Sequence, residues 1–124
     1  MKTKKHDLPN EVMRLLPLTP AVFFILFALA DGDKHGYAIM QDIADRTDGK
    51  LRLSPGTLYG SIKRMLEEGL ITELRENQRP KQDDPRRRYY HLTALGRKAI
   101  WAESNRMARL LEQARAYGLA PSRA

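Results

Sequence analysis

Ser54-Pro55-Gly56-Thr57-Leu58-Tyr59-Gly60-Ser61-Ile62-Lys63-Arg64-Met65-Leu66-Glu67-Glu68-Gly69 is a helix with both of its ends marked. The Ser54 oxygen can accept from a free N–H of the first turn, and Pro55 fits the first helical position, where no N–H is needed. Leu58, Ile62, Met65 and Leu66 recur at helical spacing and form one apolar stripe. Thr57, Tyr59, Gly60, Ser61, Lys63 and Arg64 fall on the remaining faces. Gly69 closes the helix. Gly60 stands out, because a mid-helix glycine costs about 1 kcal/mol relative to alanine. Either another molecule comes close there or the position has drifted.

Two more helices precede it. Thr19-Pro20 repeats the cap-and-proline signature and opens a helix that should run to about Asp31, with Gly32 as its stop. That helix is apolar nearly all round, so it belongs at the centre of a core. With the basic residues of Met1–Lys5 ahead of it, Ala21–Ala30 has the outline of an export signal. Asp7, Pro9, Glu11 and Pro17 interrupt that outline, and the apolar run is short of the about 20 residues a bilayer span requires. A buried helix is the expectation. A second helix starts near Gly36 with Tyr37, Ile39, Met40, Ile43 and Ala44 at helical spacing, and Asp48-Gly49 ends it. Leu51-Arg52-Leu53 reads as a short extended piece. Residues 1–17 form a basic arm whose apolar patch, Val12-Met13 and Leu15-Leu16, suits a short helix.

Downstream, Leu70–Arg75 alternates as a strand and Arg88–Leu92 as its partner. Tyr89 and Tyr90 should then point to opposite faces. The connection, Glu76–Arg87, is too long for a tight turn and carries Pro80 and Pro85. Between Arg75 and Arg88 stand six basic residues (Arg75, Arg79, Lys81, Arg86, Arg87, Arg88) and three acids (Glu76, Asp83, Asp84). Thr93 caps a last, long helix reaching about Tyr117, with Gly118 and Pro121 beyond it. Ile100, Met107, Leu110, Ala114 and Tyr117, with Leu111 beside them, give that helix a heptad-like seam, broken once by Glu103. The seam either packs on its own domain or meets a second copy, and its distance from the other core elements favours the second copy.

Composition narrows the partners. Twenty-two Lys and Arg against 15 Asp and Glu give a net charge of +7, which favours a polyanion. The absence of cysteine excludes disulfides and thiolate sites, and His6, His35 and His91 are scattered. No HExxH, CxxC, phosphate-binding loop or GxSxG pattern occurs, so neither a metal site, a bound cofactor nor an enzyme is expected.

The order helix, helix, helix, strand, basic loop, strand, long helix gives a mainly α fold with a small β-hairpin. It is a winged helix-turn-helix with an appended C-terminal dimerisation helix. Residues 1–17 are the arm, 18–92 the winged unit, 93–118 the dimerisation helix and 119–124 a tail. In this topology the third helix enters the major groove of duplex DNA and the basic hairpin lies along the backbone.

The runs His35-Gly36-Tyr37-Ala38-Ile39, Leu53-Ser54-Pro55-Gly56-Thr57-Leu58-Tyr59, Leu66-Glu67-Glu68-Gly69-Leu70-Ile71 and Arg87-Arg88-Tyr89-Tyr90-His91-Leu92-Thr93-Ala94-Leu95-Gly96 resemble the PadR family of transcription regulators. Together they span about residues 18 to 115. The resemblance implies a cytoplasmic prokaryotic repressor, usually dimeric, that binds inverted repeats, and it matches the short members with one C-terminal helix. Many such proteins answer to small molecules. Ser54, Gly56 and Thr57, at the helix entrance, can meet a phosphate. Tyr59, in the family's TLY motif, either touches DNA or packs on the wing. Lys63 follows Thr57 and Gly60 at helical spacing and is a stronger DNA candidate than Arg64. Tyr37, in the HGY motif, either approaches the DNA backbone or packs in the core. Arg79, Lys81, Arg86 and Arg87 are wing candidates for phosphate, whereas Arg88 opens the return strand and can be structural. Trp101 either lines an effector pocket or packs at the interface. The competing reading is a winged-helix protein-interaction module without specific DNA binding.

Overall fold

Four helices start on a side-chain cap, three of them where the sequence marks one. In this computed structural model, which describes residues 10–123, Thr19 accepts from the Val22 N–H at 3.2 Å. Ser54 accepts from Thr57 at 3.2 Å and Thr93 from Gly96 at 3.0 Å. The unmarked cap is His35, whose Nδ1 accepts from the Ala38 N–H at 3.2 Å. A short helix α1 (Asn10–Met13) comes first, then α2 (Pro20–Leu29), strand β1 (Lys34–His35), α3 (Gly36–Arg46) and α4 (Pro55–Glu67). Strand β2 (Ile71–Glu73), a single 3₁₀ turn (Glu76–Gln78), strand β3 (Tyr89–Leu92) and α5 (Ala94–Ala116) complete the order. Residues 1–9, the first half of the expected arm, lie outside the described residues.

The all-round apolar helix is central, as expected. Ile25, Leu26 and Ala28 of α2 are fully buried, and α2 packs against α3, α4, α5 and β3. Ile39 and Ile43 of α3, Leu58, Ile62 and Met65 of α4, and Leu70, Ile71, Tyr90 and Leu92 complete the core around it. The helix ends at Leu29 rather than near Asp31. The Lys34 amine accounts for this: it donates to the Ala28 carbonyl and to Asp31 Oδ1, both at 2.6 Å, and satisfies the helix end early.

The hairpin expected from the sequence is two strands of a three-stranded antiparallel sheet in the order β1-β3-β2. Tyr90 faces Lys34 on one side and Glu73 on the other. Tyr90 and Leu92 point into the core while Tyr89 and His91 point away, which is the alternation the strand period requires. Leu51–Leu53 joins no strand. The Leu51 N–H instead donates to Thr47 Oγ1 at 3.0 Å, which folds the connection back onto the end of α3.

Helix α5 packs its first turns on the body through Gly96, Ala99 and Ala102. Ile100, expected in the intermolecular seam, packs partly buried against the chain's own core. Glu103, which breaks the seam in sequence, is 3% exposed and faces the N-terminal segment. Its Oε2 accepts from the Leu18 N–H at 3.1 Å, while Arg106 grips both of its oxygens at 2.6 and 3.0 Å. Val12 of α1 is fully buried, and α1 packs on α5. The arm from residue 10 onward is therefore part of the body.

Candidate nucleic-acid interface

The C-terminal half of the TLY run and the HGY run meet in space. A Cβ at Gly36 would overlap the Tyr59 hydroxyl, so only glycine lets the ring of α4 lie across the first turn of α3. This contact closes one side of a cleft of about 540 Å³. His35, Gly36, Tyr37 and Tyr59 form one wall, and Arg86, Arg87, Arg88 and Tyr90 form the other. Tyr59 is 48% and Tyr37 57% exposed. The Tyr37 hydroxyl accepts from Gln41 Nε2 at 2.7 Å and lies outside the core. Arg86, Arg87 and Arg88 line the cleft beside the N-terminal end of an 11-residue helix, the end that favours an anion.

Helix α4 presents the remaining candidates on two flanks. At about 3.6 residues per turn, Gly56, Gly60 and Lys63 share the outward face opposite the buried Leu58, Ile62 and Met65. A Cβ at Gly56 or Gly60 would meet only open space, so the backbone there is accessible to a large partner. Lys63 is exposed on that face. Arg64 lies on the other flank, in a groove with Arg14, Leu15, Pro17 and Glu68, away from the cleft. Ser54 and Thr57 are exposed at the helix entrance, and their oxygens share a hydrogen bond of 3.1 Å.

The wing holds four of its five arginines in ion pairs. Arg79 is turned inward, donating to Glu73 Oε2 and to the Leu74 carbonyl, both at 3.3 Å. Arg86 grips Asp84 through Nε at 3.2 Å and Nη2 at 3.1 Å. Arg87 pairs with Asp83 at 2.9 Å and Arg88 with Glu73 at 3.5 Å. Lys81 and Arg75 have no ion-pair partner among the described residues. The Tyr89 hydroxyl donates to Asp83, a bond that with Arg87 holds the Asp83 carboxyl below its ordinary range. Arg86 does the same to Asp84. Arg88 and His35 also line the cleft, although sequence reasoning left the first open to a structural role and gave the second none.

His35 connects wing and helix. Its ring stacks edge-on to Tyr89 with centroids 5.2 Å apart. Because Nδ1 accepts from Ala38, the ring proton belongs on Nε2, and the 3.3 Å approach of Arg87 Nη1 is a contact between two donors. Burial first, and Arg87 next, hold the imidazole below its ordinary value of 6.5. The native state then binds fewer protons than the unfolded chain, so stability is present above 6.5 and is lost as pH falls through the folded value. His35→Asn keeps a capping oxygen without titrating. The fall in melting temperature between about pH 8 and 5 should be smaller in that variant than in the wild type. An equal fall would remove His35 from the account.

Of the seam residues, Met107, Leu110, Leu111 and Tyr117 are exposed among the described residues, and Ala114 is half-buried. Trp101, 54% exposed, sits on a different face of α5 with Ala94, Arg97 and Lys98 around an open hollow of about 380 Å³. Among the described residues no group of three or more His, Cys, Asp and Glu could hold a metal ion, and no helix is long and apolar enough to cross a membrane.

Residues 25–102 match the family model for the transcriptional regulator PadR-like family. A protein from transposon TN4556 of Streptomyces fradiae is 40% identical over 90 residues, which are 73% of this chain and 24% of that protein. The transcriptional regulator YqjI of Escherichia coli is 35% identical over 82 residues, or 66% of this chain and 35% of that one. The match thus spans only a quarter to a third of the length of these two curated relatives. A PadR family transcription regulator from Clostridium difficile has the same fold at a TM-score of 0.65 and 24% identity, covering 80% of this chain and 98% of that one. The Bacillus subtilis PadR in complex with operator DNA is similar at a TM-score of 0.54 and 22% identity, over 64% of this chain and 43% of that one.

Proposed function

The chain belongs to the transcriptional regulator PadR-like family, and from that premise we propose that it regulates transcription as a homodimer bound to duplex DNA in the cytoplasm. The observation that carries the proposal is the cleft in which Tyr37, Tyr59, Arg86, Arg87 and Arg88 converge beside the open face of α4. In this reading Gly56 and Gly60 face the major groove, Lys63 reaches a phosphate at its edge, and Ser54 and Thr57 meet a phosphate at the helix entrance. The cleft arginines and Lys81 follow the backbone. Arg64 and Arg79 are left out of the contact set, the first by its flank and the second by its inward pairing.

Residues 18–92 read DNA, and within 93–118 the part of the helix beyond the turns that pack on the body pairs the two copies, which gives an inverted-repeat operator by symmetry. Repression follows when such a dimer covers a promoter. A small-molecule effector belongs to the same proposal, with the exposed Trp101 ring as its aromatic contact.

The test is fluorescence anisotropy against the DNA upstream of the chain's own gene, with a scrambled duplex as control and a salt series. Tight binding to the first duplex alone, at two chains per duplex, is the expected result. Lys63→Ala should weaken binding to both duplexes and lower the slope of log K against log salt by about 1, as for the loss of one phosphate contact. Failure to bind either duplex would leave the protein-interaction reading standing. An unchanged slope would remove Lys63 from the contacts.

A further inference from the structure

The arginines that line the cleft already hold carboxylates in the geometry that a phosphate would take. Arg86 has a side chain 89% exposed, yet its head is folded back onto Asp84, two residues away. Nε meets Oδ1 and Nη2 meets Oδ2, a fork-to-fork pair. The Arg86 backbone N–H also donates to Asp84 Oδ1 at 2.9 Å, so the turn itself pins the carboxylate in place. One residue on, Arg87 is held by Asp83, which the Tyr89 hydroxyl anchors in turn. A phosphodiester offers two oxygens to the same guanidinium fork. Arg86 can therefore offer its Nε/Nη2 fork to a phosphate only by releasing Asp84, whereas Arg87 meets Asp83 through Nη1 alone and gives up one donor rather than a fork.

We propose that Asp84 and Asp83 are built-in phosphate surrogates, which occupy Arg86 and Arg87 in the free protein and which DNA must displace. This rests on the DNA-binding reading given above and adds to it a restraint on sequence-independent affinity. The restraint is sized for exchange rather than for exclusion. Both pairs are partly exposed, and solvent-exposed ion pairs are weak. Arg75 and Lys81, which have no such partner among the described residues, supply attraction at a distance. The paired arginines then close on the backbone once a phosphate has replaced the carboxylate. The outcome is a wing that carries a basic cluster without binding every duplex at the full strength of its charge.

The sign of one substitution separates this from the opposite role, in which the acids hold the arginines ready for DNA. Asp84→Asn keeps an oxygen for the Arg86 N–H, and with it the turn, but loses the charge that holds the guanidinium. Binding of the full chain to a random-sequence duplex is measured by anisotropy for wild type, D84N, R86A and the double variant. D84N is expected to bind about two- to fivefold more tightly than wild type, the range that one exposed pair supports. In the R86A background the same change should alter Kd by less than about twofold, since no guanidinium remains to be freed. Asp83→Asn, whose amide can still accept from Tyr89, gives a second reading on Arg87.

Equal or weaker binding by D84N would overturn the proposal, because the pair would then be pre-orienting Arg86. A gain that persists undiminished in R86A would also overturn it, because repulsion between Asp84 and DNA would then suffice. A wild-type chain that binds no duplex at all would sink the DNA-binding reading, and this inference with it. The first two outcomes leave that reading intact.

Discussion

Gly96→Ala should cost roughly 3 kcal/mol of stability, at the upper end of what overpacking a well-filled core costs. Gly96 lies in the first turn of α5, where the helix crosses the start of β2 and the end of β3. A Cβ at that position would overlap the Leu70 carbonyl oxygen and stand 2.7 Å from Leu92 Cδ1. Leu92 can rotate, but the Leu70 carbonyl cannot yield, because it accepts from both the Thr93 N–H at 3.2 Å and the Thr93 hydroxyl at 2.9 Å. Helix and sheet must therefore separate, and the buried Leu70, Ile71 and Ala99 lose their packing. The matched control is Gly60→Ala, the same substitution in a helix with open space around it. There the gain in helix propensity should stabilise the chain by about 1 kcal/mol. Urea unfolding of both variants at one protein concentration measures the pair. A loss under about 1 kcal/mol for Gly96→Ala would mean that α5 can lift off the sheet cheaply, against the low tolerance of close-packed interiors for added volume.

Leu110→Asp should convert the protein to monomers and lower affinity for an inverted-repeat operator by on the order of 10²–10⁴, the scale of lost bivalency. Leu110 is 49% exposed and lies beyond the part of α5 that packs on the body, so the fold of one chain has little stake in it. Circular dichroism should accordingly be unchanged. The apolar stripe that begins with Ile100 against the core runs on through Met107, Leu110, Leu111 and Ala114 to Tyr117 after its own domain has ended. A stripe of that length at three- and four-residue spacing suits a second helix of the same kind. Sedimentation measures the outcome, and a variant that stays dimeric would assign the seam to something other than self-association.

What could be read from the chain alone was what is decided locally. Ser54-Pro55, Thr19-Pro20 and Thr93 mark helix starts because the capping oxygen and the N–H it serves are three residues apart. The stripe Leu58, Ile62, Met65 identified the buried side of α4, and the outward side followed. Lys34-His35 gave no strand signal, since two polar residues have no period, and only the arrival of β3 makes them a strand. Glu103 read as a flaw in a seam because one of its partners, the Leu18 N–H, comes from a distant part of the chain that no helical repeat reveals, although Arg106 stands three residues on in the same helix. The flank that separates Lys63 from Arg64 was visible in part. That Arg79 turns inward while Arg86 and Arg87 line the cleft was not, because within a 12-residue loop spacing sets no direction.

Strand β1 also bears on the order in which the parts form. It stands between α2 and α3 and pairs with a strand that follows α4, so Lys34 and Tyr90 meet only when the whole segment between them has closed on itself. Helices α2 to α4 need only near neighbours, while this edge must overcome a long loop-closure entropy before its few bonds repay it. The cleft between the tyrosines and the arginines is thus a late product of folding. Its helical wall can exist before the arginine wall arrives, and fluctuations that release β3 would dissolve the cleft while leaving most of the helical packing in place.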